Sequence, residues 1–294
     1  MSRKKRWFGY ILYCFLVTAG FLYLLFPSEV LKEHLIHTAN AQNSPMVVSI
    51  NRLALWPTLG LKLDEAKVSL KNRSTHTLFQ ADRLIVRPKI WSFLKGNGRY
   101  CFSCQAYGGE LQGSMQFDQK NPSSPLQTEM ELHDIRLGAH TYLEEVAGRR
   151  IQGNLSGILS YSGPTNNFFS GNGKANLALL DGTIELLFPI LQLDSLAFNE
   201  IVVDMVLRNR VITIARCELR SSQLDGNLSG DIRLRTQIER SSINLRGELK
   251  PFASFFTGTE GSSIAMGVLE KRLKRGALRF VVRGTLSRPK INFI

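Results

Sequence analysis

Histidine and cysteine are scarce in this 294-residue chain, five and four respectively, and the patterns that make them chemically active are missing. The histidines stand at 34, 37, 76, 133 and 140 and form no H-E-x-x-H helix; His34 and His37 can share a helical face but have no third ligand nearby. There is no G-x-S-x-G elbow and no G-x-x-x-x-G-K-S/T phosphate loop. The expectation is a non-enzyme with no catalytic residue, no cofactor and no metal.

Four cysteines are too few for a disulfide scaffold, and Cys14 lies in an apolar run. Cys101 and Cys104 make a C-x-x-C pair. Gln105 rather than His follows it, which excludes haem attachment, and no further zinc ligands are near. The surroundings, Tyr100, Phe102 and Gly108-Gly109, do not suit a thioredoxin-like helix start. A local bridge between Cys101 and Cys104, or free thiols, are the readings left. Three N-x-S triplets, at Asn72, Asn154 and Asn227, are too short to argue glycosylation.

Acidic residues are also in deficit, 24 against 37 Lys and Arg. Arg3, Lys4, Lys5 and Arg6 account for four of the cations, and the remainder, 33 against 24, still leaves +9. Beyond a membrane such a body meets anionic headgroups, lipopolysaccharide or an acidic partner; nucleic acid is not expected there. Solvated strand faces are the plain alternative, since the cations recur at alternate positions, as in Arg233 and Arg235 or Arg279 and Arg283.

Against these absences stands one long charge-free run, Trp7 to Phe26, directly after the four cations. Twenty residues at about 1.5 Å each span the roughly 30 Å hydrocarbon core, and the basic cluster stays cytoplasmic. The expected organisation is a cytoplasmic tail (1–6), a transmembrane anchor (7–26, with Trp7, Phe15, Phe21 and Phe26 as anchor residues) and an exported body (27–294). A cleaved signal peptide is the competing reading, because Ala39-Asn40-Ala41 has the small-x-small form. The run is longer than a usual h-region, and Glu29, Lys32, Glu33 and His34 separate it from that site. The bulky Tyr13 before Cys14 argues against lipoprotein processing.

Ser28 to Gln42 predicts a short helix. From Met46 onward the period is two: Ala66, Val68 and Leu70 alternate with Lys67, Ser69 and Lys71, and Thr128, Met130 and Leu132 with Glu129, Glu131 and His133. Ile201, Val203, Met205 and Leu207, then Val211 to Leu219 after Arg208-Asn209-Arg210, predict a hairpin. Further rows run at Ile232, Leu234, Thr236 and Ile238, at Ile243, Leu245 and Leu249, and at Leu278, Phe280, Val282 and Leu286. Helical interruptions are expected at Tyr142–Val146, Thr183–Leu191 and Ile264–Lys274. The fold class is therefore mainly β: an elongated, curved antiparallel meander with few helices, behind one N-terminal transmembrane helix.

A weak repeat runs through 109–114 (GELQGS), 151–157 (IQGNLSG) and 224–230 (LDGNLSG), with echoes at 245–249 and 282–286. Glycine inside a strand pattern marks a bulge or a close approach of neighbours. A sheet apolar on one face needs cover: a closed or folded-over sheet, a partner protein or lipid acyl chains. The candidate apolar face is Ile201, Val203, Met205, Leu207, Ile232, Leu234, Phe280 and Val282.

Several segments resemble the AsmA-like superfamily, and most closely its relative, the type II secretion system protein N family. They are Leu55-Trp56-Pro57-Thr58-Leu59-Gly60-Leu61-Lys62-Leu63, Ala81 to Val86, Gly182 to Glu185, Leu224 to Ile232, and the closing Gly284 to Ile291. The resemblance implies an inner-membrane protein of a Gram-negative cell with a β-rich periplasmic body and no catalytic residues. For the secretion family it implies an accessory or scaffold role beside type II secretion subunits. For the wider superfamily it implies a curved sheet that shelters phospholipid tails and transfers lipid.

Overall fold

The computed structural model describes residues 3–41, 46–56, 60–70, 73–93, 97–118, 125–140, 143–144, 148–164, 168–190, 193–252 and 276–294. It is mainly β and divides into two compact units, 1–87 and 88–294. The expected elements at 142–146 and 264–274 fall partly or wholly outside the described residues.

The first unit opens with α1 (Arg3–Leu24) and α2 (Ser28–Ala41), followed by β1 (Met46–Trp56), β2 (Gly60–Leu70) and β3 (Arg73–Pro88). Pro27 cannot continue an α-helix, so the chain breaks there and α2 begins one residue later. Leu31, Leu35 and Ile36 lie on one face of α2 and pack on buried Ile50, Leu53 and Leu63 of the β1–β2 pair. Burying each such side chain stabilises by about 1.5–3 kcal/mol. Phe26, past the end of α1, packs against this core. The Asn40 side chain binds both backbone groups of Val48, accepting from its N–H at 2.8 Å and donating to its carbonyl at 3.2 Å. This occupies backbone that an edge strand would otherwise offer to other chains.

α1 is 22 residues long, about 33 Å at 1.5 Å per residue, and Trp7 and Phe21 are exposed. Among the described residues no helix is long and apolar enough to cross a membrane. The side chains of Arg3 to Arg6, and of Phe8, Phe15, Leu16, Ala19 and Leu22, are outside the described set.

The second unit is an antiparallel meander in chain order. Its strands are β4 (Asn97–Ala106), β5 (Gly109–Asp118), β6 (Leu126–Arg136), β7 (Ile151–Gly163), β8 (Asn172–Ile190), β9 (Leu193–Arg208), β10 (Val211–Arg220), β11 (Leu224–Arg233), β12 (Ser242–Pro251), β13 (Leu278–Thr285) and β14 (Arg288–Phe293). Among the described residues β14 pairs with β13 alone, so this order does not close on itself. The outer edge carries Pro289 and Lys290 on a six-residue strand, features that discourage further pairing. Asn209 and Arg210, both at positive φ, make the tight turn between β9 and β10.

Two expectations are corrected here. Over its described residues, 183–190, the apolar segment 183–191 is strand and not helix: β8 runs through them, with Ile184 paired to Ile151 on one side and Leu196 on the other. Pairing on both edges at Thr183 and Ile184 outweighs the local apolar pattern. The row 232–238 is not one strand either, because β11 ends at Arg233. Leu234 lies in the turn, its N–H donating to the Arg210 carbonyl at 2.7 Å.

The glycine repeat acquires a structural meaning. Gly157 and Gly230, its last positions in β7 and β11, have φ of 152° and 135°, and a Cβ on either would fall on a carbonyl of the next strand, Asn176 or Asn244. Aromatic rings lie over other glycines of the neighbouring strand: Phe102 on Gly113, Phe198 on Gly182 and Phe280 on Gly247. Such cover replaces the packing that glycine cannot provide.

Candidate functional site: an apolar sheet face

Paired residues of adjacent antiparallel strands project to the same face, so register traces a face across the sheet. From the middle of β10, Cys217 pairs with Val203, which pairs with Leu177, then Gly157, Leu132, Leu111 and Cys104 of β4. In the other direction Cys217 pairs with Leu228, then Gly247, Phe280 and Phe293. This row crosses all eleven strands, about 48 Å at 4.8 Å per step. It contains no charged, amide or hydroxyl side chain.

The neighbouring row through Ile214 takes in Met205, Ala175, Leu159 and Met130 on one side and Gly230, Leu245, Val282 and Ile291 on the other. Ile201, Leu207 and Ile232 share this face through Leu219 and Ile212. Seven of the eight face residues expected from the sequence are thus brought together, and Leu234 is not. The face is wider than the alternation at 201–219 and 278–286 suggested. Tyr100, Phe102, Phe198 and the β7 leucines join it, and Gly153 and Gly157 obscure the alternation of β7.

The opposite face is polar. Ser114, Glu129, Ser160 and Lys174 occupy successive strands β5 to β8, and Thr213, Asp231, Asn244 and Arg283 occupy β10 to β13. Asp231 accepts from Thr213 at 2.7 Å, and Asp204 from Asn176 at 2.7 Å. Exposed ion pairs gather near one set of strand ends: Arg150–Glu185 at 2.7 Å, Arg220–Glu200 at 3.0 Å and Arg279–Glu248 at 3.5 Å. The Arg150 backbone N–H, more than its side chain, holds the Glu185 carboxyl below its ordinary range, and the Arg216 hydrogen bonds do the same for Glu218. An open cleft of about 720 Å³ lies at the other strand ends, its walls mixing Arg99, Glu129, Lys174 and Arg208 with Val206 and Leu207.

The apolar face is only half covered. Val203, Met205, Leu207, Ile214, Phe280 and Val282 are all of intermediate exposure, although Leu179, Phe198, Leu245 and Leu278 are buried by their neighbours. Among the described residues of this unit the only α-helical pieces are α3 (Ile90–Phe93), at 4 residues, and the two residues 143–144. The contrast with the first unit, where α2 lies on its sheet, is direct.

Cys101 and Cys104 do not bridge. Neither is in a disulfide, and three residues apart on a strand they project to opposite faces, Cys101 to the polar side and Cys104 to the apolar side. Cys217, also outside any disulfide, has its thiol pushed up chiefly by burial and secondarily by the Glu218 charge. Among the described residues no group of three or more His, Cys, Asp or Glu could hold a metal ion. No family model matches the chain, and neither a curated protein nor a solved structure matches it.

Proposed function

We propose that this chain is a non-enzymatic, membrane-anchored envelope protein whose second unit shelters lipid acyl chains on its apolar face. One observation carries the reading: the uninterrupted apolar row from Cys104 to Phe293, without a covering helix among the described residues. Acyl chains need apolar surface without hydrogen-bond partners, and a row of about 48 Å exceeds the roughly 15 Å depth of one leaflet's hydrocarbon. α1 is the anchor in this reading. Its charge-free run from Trp7 to the helix end, preceded by Arg3 to Arg6, supports an inner-membrane tether with a cytoplasmic N-terminus and a periplasmic body.

Lipid carried by the full chain, purified in mild detergent, is measured by mass spectrometry beside a Val203→Asp, Met205→Asp variant. The reading expects phospholipid with the wild type and its loss from the variant, whose α1 and annular lipid are unchanged. A wild type carrying no more lipid than the variant would overturn it.

The likeness to the type II secretion system protein N family supports a second role for the same tethered sheet, as an accessory or scaffold beside secretion subunits. Its motifs fall in β8 (Gly182 to Glu185), in β11 (Leu224 to Ile232) and in the β13–β14 hairpin (Gly284 to Ile291). Deleting the gene tests this role: reduced release of secreted proteins is expected, and unaltered release would sink it.

A further inference from the structure

We propose that the loop end formed by the β9–β10, β11–β12 and β13–β14 connections docks on the surface of an anionic phospholipid bilayer. The inference deepens the lipid-sheltering reading and rests on it for its purpose, because it names the surface with which the apolar face exchanges acyl chains. These turns carry Arg208, Arg210, Arg233, Arg235, Arg240 and Arg288 against one carboxylate, Glu239. All but Arg210 are exposed, and none of the six makes an ion pair among the described residues. The opposite strand ends differ: there Arg150, Arg220 and Arg279 each meet a carboxylate. The positive charge is therefore concentrated at one end of the sheet.

Backbone hydrogen bonds join the turns into one surface. The Arg210 N–H donates to the Phe169 carbonyl at 3.0 Å, and the Leu234 N–H to the Arg210 carbonyl at 2.7 Å. The Leu286 and Ser287 N–H groups donate to the carbonyls of Ser241 and Glu239 at 3.0 and 3.2 Å. Large apolar side chains stand out among the arginines: Phe168, Ile238 and Leu286 are 55 %, 47 % and 39 % exposed. Cations alone fit any polyanion. Cations interleaved with exposed apolar side chains fit the headgroup boundary of a bilayer, where phosphates take the charge and the apolar groups enter the acyl region.

The test reconstitutes the full chain in phosphatidylcholine vesicles and measures capture of labelled acceptor vesicles, either phosphatidylcholine alone or mixed with phosphatidylglycerol. Capture of the anionic acceptors only is expected, weakening steeply as salt rises because screening shortens the reach of exposed charges. Changing Arg208, Arg233, Arg235, Arg240 and Arg288 together to Gln should reduce capture by at least about tenfold. Phe168→Ser, Ile238→Ser and Leu286→Ser together should also reduce it, and Arg220→Gln with Arg279→Gln should leave it unchanged. Equal capture of neutral acceptors, salt-independent capture by the wild type, or undiminished capture by a five-Gln variant of unaltered circular dichroism would each overturn the proposal. So would binding to an acidic polypeptide without binding to vesicles. Lipid content, read by mass spectrometry on the same samples, separates the two claims: a five-Gln variant that keeps its lipid but loses capture places the defect in docking alone.

Discussion

At the scale of single residues, glycine sets where strands can approach. Gly157 and Gly230 end the same seven-residue pattern, share a left-handed φ and sit against equivalent carbonyls of the following strand. Gly230→Ala therefore combines backbone strain with a clash that neither strand can relieve cheaply. A loss of about 1–3 kcal/mol is expected, read as a lower denaturation midpoint of the full chain, whereas an unchanged midpoint would contradict the assigned role. The repeat was visible in the sequence, but its geometry was not, because which carbonyl faces each glycine depends on the register of the next strand. The C-x-x-C pair shows the same dependence: its spacing suggests a local bridge until the strand assignment separates Cys101 and Cys104 onto opposite faces.

At the scale of elements, strict alternation made the β9–β10 hairpin legible down to its turn, and the α2 helix was legible to within one residue. Where local pattern and pairing disagreed, pairing prevailed: β8 continues through 183–190, and Leu234 turns away although its period fits β11. The candidate face was half legible, in its strongly alternating C-terminal strands. Its extension through β4 to β7 needed the register. The two thiols of opposite faces supply a reporter. Acyl-chain occupancy should slow alkylation of Cys217 and leave Cys101 unaffected, with peptide mapping by mass spectrometry resolving the sites. Equal protection of both, or of neither, would contradict the assignment of faces. The raised Cys217 pKa adds that its alkylation should accelerate at pH above the ordinary thiol range.

At the scale of the whole molecule, the chain combines a helix that is charge-free from Trp7 onward, a small helix-covered sheet and a larger sheet with one apolar face. The apolar face has a path across the strands without polar side chains, and the arginine-bearing turns lie at one set of strand ends. Neither property needs an active site. The central claim is that acyl chains occupy the apolar face, and crosslinking with side-chain resolution tests it most directly. A photoreactive residue replaces Met205 on the apolar face or its neighbour Asp204 on the polar face, cells are irradiated, and adducts are identified by mass spectrometry. The account predicts phospholipid adducts at position 205 and none at 204; adducts at both, or at neither, would contradict it.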